Sequence, residues 1–133
     1  EWGSVQIGIA KDGEAAFDLP KGHPDYGKQI ASYYFWLFPN LMLNFYLWGI
    51  SVNIVQPIGP TTTRIIYQSY VSDASKLGEG AGSNLYRIEM EDEEIVESAQ
   101  KGVRSRLYDR GRYSPSREKG PHHFHRLLAS FLG

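Results

Sequence analysis

The chain has 133 residues, a length that favours one domain, and its 41% hydrophobic and 22% charged residues are typical of a globular protein rather than a disordered one. Its net charge of −1 at pH 7 argues against a dedicated nucleic-acid binder, which usually carries an excess of basic residues. Because cysteine is absent, the chain itself can hold no disulfide, cysteine nucleophile or iron–sulfur cluster, and a reducing cytoplasmic setting fits this composition.

The N-terminal half of the sequence predicts short strands joined by turns. Two candidates, Val5–Ala10 and Glu14–Leu19, flank a Lys-Asp-Gly turn, and Pro20–Lys28 reads as a polar loop. Further segments are rich in aromatic and β-branched residues: Tyr33–Phe38, Leu41–Trp48, Ser51–Pro57 and Thr61–Val71. We predict a three-strand antiparallel meander over residues 31–71, with turns at Pro39-Asn40, Gly49-Ile50 and Gly59-Pro60.

One apolar segment, Tyr33–Ile50, approaches the ~20 residues of a membrane-spanning helix. Pro39, Asn40 and Asn44 interrupt it, and a Pro-Asn pair between two aromatic runs is typical of a turn. We therefore predict two buried strands in this segment and no membrane partner.

The pattern changes after a polar, Gly-rich loop at Asp73–Asn84. The next residues, Leu85–Met90, form either a short strand or the lead-in to a helix. The segment Glu91–Leu107 is predicted to be helical because its apolar residues recur at spacings of three and four, at Val96, Ala99, Val103 and Leu107.

The end of the chain predicts a polar loop at Arg110–Pro121 and a closing helix at His122–Leu132. Strands followed by a long helix indicate an α+β fold, in which the helix covers one face of a curved antiparallel sheet. A cavity lined by aromatic side chains of the strands is expected between the two.

Six acidic residues crowd the predicted start of the long helix: Glu89, Glu91, Asp92, Glu93, Glu94 and Glu97. Acids there complement the helix dipole, and Asp92 or Glu91 could be the N-cap, so most of them need no function. Asp92 differs because it extends the apolar stripe by one turn. A carboxylate on a core-facing side is costly unless it is paired, protonated or bound to metal. Asp92 is therefore a candidate metal ligand or catalytic acid/base, with a cap or a buried ion pair as the alternative.

Two other groups of side chains carry weaker signals. His122 and His125 would lie on one side of a helix, where a three-ligand metal site with Asp92 is conceivable, and the alternative is a polar helix entrance. Strand aromatics could form a cation–π cage for a quaternary ammonium group or simply pack in the core; they are Tyr34, Trp36, Tyr46 and Trp48.

Three blocks of the sequence resemble, in this order, the C-terminal half of the catalytic domain of Rieske non-haem iron oxygenases, the alpha subunits of ring-hydroxylating oxygenases. They are Phe38–Pro60 (FPNLMLNFYLWGISVNIVQPIGP), Glu89–Tyr113 (EMEDEEIVESAQKGVRSRLYDRGRY) and Gly120–Leu128 (GPHHFHRLL). The most similar subgroup contains choline monooxygenase-like enzymes, and the resemblance covers about residues 30–132. It implies a helix-grip (START-like) fold, which agrees with the sheet and helix predicted above.

The resemblance implies that Asp92 is the carboxylate of a facial triad, in which two histidines and one carboxylate hold a mononuclear Fe(II) and leave positions open for dioxygen. Glu91 is the competing assignment by one register. The substrate would be an aromatic ring or an N-methylated quaternary amine that is hydroxylated or demethylated. The sheet would line its pocket, where the candidate contacts are Asn40, Met42, Asn44 and Asn53.

The partners implied by the resemblance are a reductase that supplies electrons, a [2Fe–2S] Rieske cluster in a domain absent from this chain, and two further subunits of a homotrimer. The chain departs from the family because it lacks both the upstream histidine pair and the cysteines of the cluster. We therefore interpret residues 1–133 as the C-terminal portion of the catalytic domain, a fragment that we expect to bind no catalytic iron tightly and to be inactive alone.

Two alternative functions stay open. The first is a non-enzymatic helix-grip binder of an apolar ligand, and the second is an acid/base enzyme such as a dehydratase, which would pair Asp92 with a histidine of 122–125. The exposure of Asp92 bears on the choice, because a simple binder has no reason to turn a carboxylate into its cavity.

Overall fold

Five antiparallel strands and two helices make up the fold in the computed structural model, which describes residues 1–133. The strands form one open sheet in sequential order: β1 (Gly3–Ile9), β2 (Ile30–Leu37), β3 (Leu41–Tyr46), β4 (Gly49–Gly59) and β5 (Thr62–Val71). A short 3-10 turn at Ala74–Lys76 precedes the helices α1 (Leu85–Val103) and α2 (Lys119–Leu132). The predicted α+β class with an antiparallel sheet is confirmed, and the arrangement is consistent with a helix-grip fold.

Side chains from all five strands line up in rows across one face of the sheet. One row consists of Ser4, Trp36, Met42, Asn53 and Tyr67, each the register partner of the next. Because successive side chains of a strand alternate between faces, the row two residues along shares this face. That row contains Gln6, Tyr34, Asn44, Ser51 and Ser69. We call this surface the helix-side face.

Both helices contact the helix-side face. The ring of Phe124 in α2 meets the ring of Trp36 edge-on, with 5.3 Å between centroids. The hydroxyl of Tyr67 donates a hydrogen bond of 3.3 Å to Oε1 of Glu93 in α1. Beyond Glu93 the helix leaves the sheet, because every residue from Glu94 to Tyr113 is exposed.

The opposite face of the sheet is apolar and only partly covered. Phe17 from the loop after β1 packs on Tyr33, with 5.8 Å between ring centroids, and Asp25 accepts a 3.1 Å hydrogen bond from the Tyr33 hydroxyl. Farther along this face, the side chains of Phe35, Leu37 and Phe45 are between 36% and 39% exposed.

The buried core is small and lies at one end of the sheet. Seven residues are buried, namely Ala10, Ile30, Ala31, Ser32, Tyr46, Trp48 and Ser51. They gather where β2 begins, β3 ends and β4 begins. The chain length suggests a larger core. The difference arises because both sheet edges are open and the helices contact only part of one face.

Two predictions about the strands are wrong. The segment Glu14–Leu19 is not a strand. Its one backbone hydrogen bond to the sheet is donated by the Phe17 amide to the carbonyl of Ile30, at 2.8 Å. The meander over residues 31–71 contains four strands, and the turn after β3 is at Leu47–Trp48 instead of Gly49-Ile50. The turns at Pro39-Asn40 and at the end of β4 are confirmed.

The helices begin earlier than predicted. The segment Leu85–Met90 is the start of α1, and α2 begins at Lys119 instead of His122. Asn84 occupies the N-cap position of α1, and the first turn contains no acidic residue. The explanation of the acids as helix-start residues, with Asp92 or Glu91 as the cap, is therefore wrong.

The apolar segment Tyr33–Ile50 folds into β2, β3 and the start of β4. Neither α1 nor α2 has the length and apolar character that a helix needs to cross a membrane.

Gly49 allows β4 to start against β5. Its φ is +147°, and a Cβ atom there would lie 2.1 Å from the carbonyl oxygen of Tyr70. We expect Gly49→Ala to lower the free energy of unfolding by about 3 kcal/mol, because the strained φ and the contact with backbone both disfavour a side chain. Urea denaturation measures this loss. The control is Gly59→Ala in the same strand, where a Cβ would meet nothing within 4 Å. Equal losses in the two variants would contradict the close approach at Gly49.

Candidate functional site

A cleft of about 1030 Å³ lies between the helix-side face and the start of α2. Its sheet wall is formed by Tyr34, Trp36 and neighbouring polar side chains. Its other wall is formed by the segment that leads into α2 and by the first turns of the helix, including Arg117, Lys119 and Phe124. The cleft is therefore built by packing the C-terminal helix on the β1–β2 side of the sheet.

Three of the four predicted substrate contacts line this cleft. Asn40 comes from the turn between β2 and β3, and Met42 and Asn44 follow on the helix-side face of β3. Asn53 is on the same face but outside the cleft lining, and its Oδ1 accepts a 2.8 Å hydrogen bond from Ser51 Oγ. The first three side chains are therefore the ones placed to meet a molecule in the cleft.

The four aromatic residues considered for a cage divide into two pairs. Tyr34 and Trp36 line the cleft. Tyr46 and Trp48 are 6% and 2% exposed and stack on each other with 5.2 Å between centroids, so they pack in the core. Only the first pair can present ring surface to a cation in the cleft.

Acidic side chains of α1 lie beside one end of the helix-side face. Tyr67 is placed beside Glu89, Asp92 and Glu93. Burial, reinforced by the neighbouring carboxylates, raises the pKa of the Tyr67 hydroxyl to about 12. None of the three carboxylates has an ion-pair partner within 4.0 Å, so no basic side chain neutralises this acidic end of the face.

Glu89 is the most constrained of these acids. It is half-buried, its Oε1 is buried without a hydrogen-bond partner, and it lies close enough to Tyr46 to raise the pKa of that phenol further above its ordinary value. Burial, followed by the charge of Glu93, raises the pKa of the Glu89 carboxyl. Ionised Glu89 therefore destabilises the fold relative to its protonated form.

The pH dependence of stability tests this environment. A carboxyl whose pKa is higher in the folded than in the unfolded state favours folding at low pH, and that contribution is lost as the pH rises through the folded-state pKa. We expect Glu89→Gln to raise the urea midpoint at pH 7. The gain should shrink as the pH falls through the raised folded-state pKa of Glu89 and vanish below about 4.3, the ordinary glutamate pKa. The control is Glu94→Gln, because Glu94 is exposed on the same helix. A gain in urea midpoint that is the same at pH 7 and below about pH 4.3, or a loss at pH 7, would contradict the half-buried position of Glu89.

Asp92 lies inside α1 and is exposed. The apolar stripe that marked it as core-facing also points to solvent, since Val96 is 66% and Val103 45% exposed. The prediction of an inward-facing stripe is therefore wrong. The side that contacts the sheet is the one bearing Leu85, Glu89 and Glu93, four residues apart, because α1 touches the sheet only through its N-terminal part.

The residues of this chain do not complete an iron site. No group of three or more His, Asp or Glu side chains is close enough to hold a metal ion. His122 and His125 both pack against Tyr113, and His123 contacts Trp36. None of these contacts involves Asp92. The three-ligand site of Asp92 with His122 and His125 is therefore not assembled. Asp92 keeps an unpaired, accessible carboxylate, which alone is a weak ligand set for Fe(II).

Several residues of the site were not singled out from the sequence. Tyr67 and Glu93 are 26 positions apart in the sequence and meet only in the fold. Arg117 and Lys119 reach the cleft only because α2 folds back on β2. The available signal was the four-residue spacing of Leu85, Glu89 and Glu93, which marks a second helix face beside the apolar one.

Comparison with known proteins places the sequence in a catalytic family. A family model described as "Ring hydroxylating alpha subunit (catalytic domain)" matches residues 9–133. The choline monooxygenase of Arabidopsis thaliana, a protein named as chloroplastic, is 35% identical over an alignment of 99 positions, gaps included, which covers 71% of this chain and 23% of that protein. No solved structure matches the chain.

Two further relatives extend the comparison. The choline monooxygenase of Spinacia oleracea, also named as chloroplastic, is 28% identical over 124 residues, or 90% of this chain and 28% of that protein. The carnitine monooxygenase oxygenase subunit of Escherichia coli K12 is 34% identical over an alignment of 138 positions, gaps included, which covers 95% of this chain and 36% of that protein. The chain thus spans about a quarter to a third of the length of these relatives.

Proposed function

Because the chain belongs to the family of ring-hydroxylating alpha-subunit catalytic domains, a family of Rieske-type oxygenases, we propose that it forms the C-terminal portion of an oxygenase that hydroxylates a methylated quaternary amine. The alternative substrate within the family, an aromatic ring, is less well supported by the chemistry of the site. The relatives that bear on this choice are named for choline and carnitine, both quaternary amines.

One observation carries the proposal for this substrate class. The helix-side face carries Glu89, Asp92 and Glu93, which have no ion-pair partner, beside Tyr67, and the cleft on the same face has the rings of Tyr34 and Trp36 in its wall. A quaternary ammonium group cannot donate hydrogen bonds, so proteins bind it by aromatic faces and by nearby negative charge. Both features occur on the same face of this sheet.

Asp92 is proposed as the one iron ligand that this chain supplies. The resemblance of the Glu89–Tyr113 block to the family supports the assignment, and the exposed, unpaired carboxylate leaves Asp92 available to a metal held jointly with residues of the complete subunit. The histidines would come from outside this chain. When bound, a mononuclear iron supplies dioxygen activation, and a Rieske cluster and a reductase supply electrons. A homotrimeric assembly is part of the same proposal.

The exposed position of Asp92 is also what a non-enzymatic binder would show. Family membership favours the oxygenase, and an assay separates the two. The complete oxygenase subunit is incubated with its reductase, NADH and either choline, carnitine or toluene, and substrate-dependent oxygen uptake and product are measured. We expect uptake with a quaternary amine. Saturable amine binding without oxygen uptake would favour the binder, and product from toluene alone would overturn the substrate class.

We propose that the 133-residue chain alone is inactive and binds no catalytic iron tightly. The support is the absence of a grouped ligand set among its His, Asp and Glu residues. The cytoplasmic location stays a prediction, and the plant relatives are named as chloroplastic proteins.

A further inference from the structure

We propose that the α2 end of the cleft is a binding site for a carboxylate, formed by Arg117 and Lys119, and that it selects quaternary amines that also carry an acid group. This inference rests on the proposed function, because it concerns the second charged group of the same substrate. It divides the substrate class into zwitterions, such as carnitine, and simple cations, such as choline.

The first support is the charge of the cleft lining. Arg117 and Lys119 line the cleft, together with His123, and no Asp or Glu side chain does. Neither Arg117 nor Lys119 has a carboxylate within 4.0 Å. The nearest acid in sequence, Glu118, is engaged elsewhere, since its Oε2 accepts a 2.6 Å hydrogen bond from the amide of Ser114. The two cations are therefore free to bind an anion.

The second support is the opposite charge at the other side of the same face. Trp36 and Tyr67 belong to one row across the sheet, with Met42 and Asn53 between them. At about 4.8 Å per strand, these two side chains start roughly 14 Å apart. Phe124 of α2 covers Trp36 at one end, and Glu93 of α1 bonds Tyr67 at the other. The two ends of this face therefore carry opposite charges. Basic side chains lie at the start of α2, and acidic side chains lie on α1.

The third support is the chemistry between the two ends. The rings of Tyr34 and Trp36 line the same cleft as Arg117 and Lys119. A small zwitterion can therefore place its ammonium group on the rings and its carboxylate on the basic pair. An arginine forms paired hydrogen bonds with a carboxylate, and lysine adds a point charge. Asn40 and Asn44 line the cleft with neutral amides that can bond a hydroxyl or a carboxylate oxygen without repelling either charge.

The experiment compares binding of carnitine and choline to the complete oxygenase subunit by titration calorimetry. In the parent protein we expect carnitine to bind more tightly than choline. The double variant Arg117→Gln/Lys119→Gln should lose about tenfold or more in carnitine affinity, while choline affinity changes less than about twofold. The charge-preserving pair Arg117→Lys/Lys119→Arg should keep most of the carnitine affinity. Arg126→Gln is the control for net charge, because Arg126 is exposed on α2 but does not line the cleft.

The outcomes separate this inference from the proposed function. Unchanged carnitine affinity in the double variant, or an equal loss for choline, overturns the carboxylate site and leaves the proposed function intact. If neither amine binds the parent protein, the proposed function fails and the carboxylate site fails with it. Inorganic phosphate is the competing anion, and phosphate that binds more tightly than carnitine would overturn the assignment to a substrate carboxylate.

Discussion

The Asp92→Asn substitution is expected to remove iron from the complete oxygenase subunit and to lower its turnover by about 100-fold or more. An amide keeps the shape of the side chain but loses the negative charge that the proposed Fe(II) ligand supplies. Substitution of groups that merely support a metal ligand already costs 10–100-fold, so loss of a ligand should cost at least as much. Iron content by metal analysis and oxygen uptake with the preferred amine measure the effect.

Glu91→Gln is the matched control for Asp92→Asn. Glu91 is the neighbouring acid in the same helix, it is exposed, and its carboxylate already accepts a 2.8 Å bond from Nε of Arg87. We expect this variant to retain its iron and its turnover within about twofold, since surface ion pairs contribute little. The reverse pattern, with iron lost in Glu91→Gln and kept in Asp92→Asn, would assign the ligand to the other register.

The Trp48→Ala substitution is expected to lower the free energy of unfolding by about 3–5 kcal/mol. Trp48 is 2% exposed, stacks on Tyr46 and is approached so closely by Gly82 that a Cβ there would lie 2.8 Å from its Nε1. Removing the indole leaves a cavity in a core of only seven buried residues. Such a loss approaches the total stability of many domains.

Urea denaturation of two further variants checks the cause of this loss. Trp48→Phe should cost clearly less than Trp48→Ala, because a ring is kept and the indole Nε1 has no hydrogen-bond partner to lose. Tyr86→Ala should change the midpoint little, since Tyr86 is 75% exposed. A Trp48→Ala midpoint equal to that of Tyr86→Ala would contradict the position of the core.

The sheet was the most predictable part of the fold. Strand Thr62–Val71 agrees with its prediction within one residue, because Thr, Ile, Tyr and Val favour extended backbone and a Gly-Pro pair precedes them. The sequence misplaces the turn after β3 because a glycine such as Gly49 is typical of a turn. The glycine instead opens β4, where its missing Cβ admits the carbonyl of Tyr70. Glycine composition alone does not separate these two uses.

The orientation of α1 could not be predicted from its periodicity. The stripe Val96, Ala99 and Val103 has helical spacing, yet α1 lies on the sheet only through its N-terminal part. Which side of a helix is buried depends on where the sheet ends, and this is a tertiary property. The sequence alone predicts the α+β class and the family. It also names Asn40, Met42 and Asn44, which line the cleft. Arg117, Lys119 and Glu93 needed the packing of distant segments.

We propose that Asp92 holds iron on the helix-side face of the sheet, the face that also carries the cleft. The most direct measurement is a structure of the iron-loaded complete subunit, with the metal located by anomalous scattering. We expect the iron in bonding contact with a carboxylate oxygen of Asp92, on the side of the sheet that carries Trp36, Met42 and Tyr67. Iron held without Asp92, or held on the opposite face, would contradict the account.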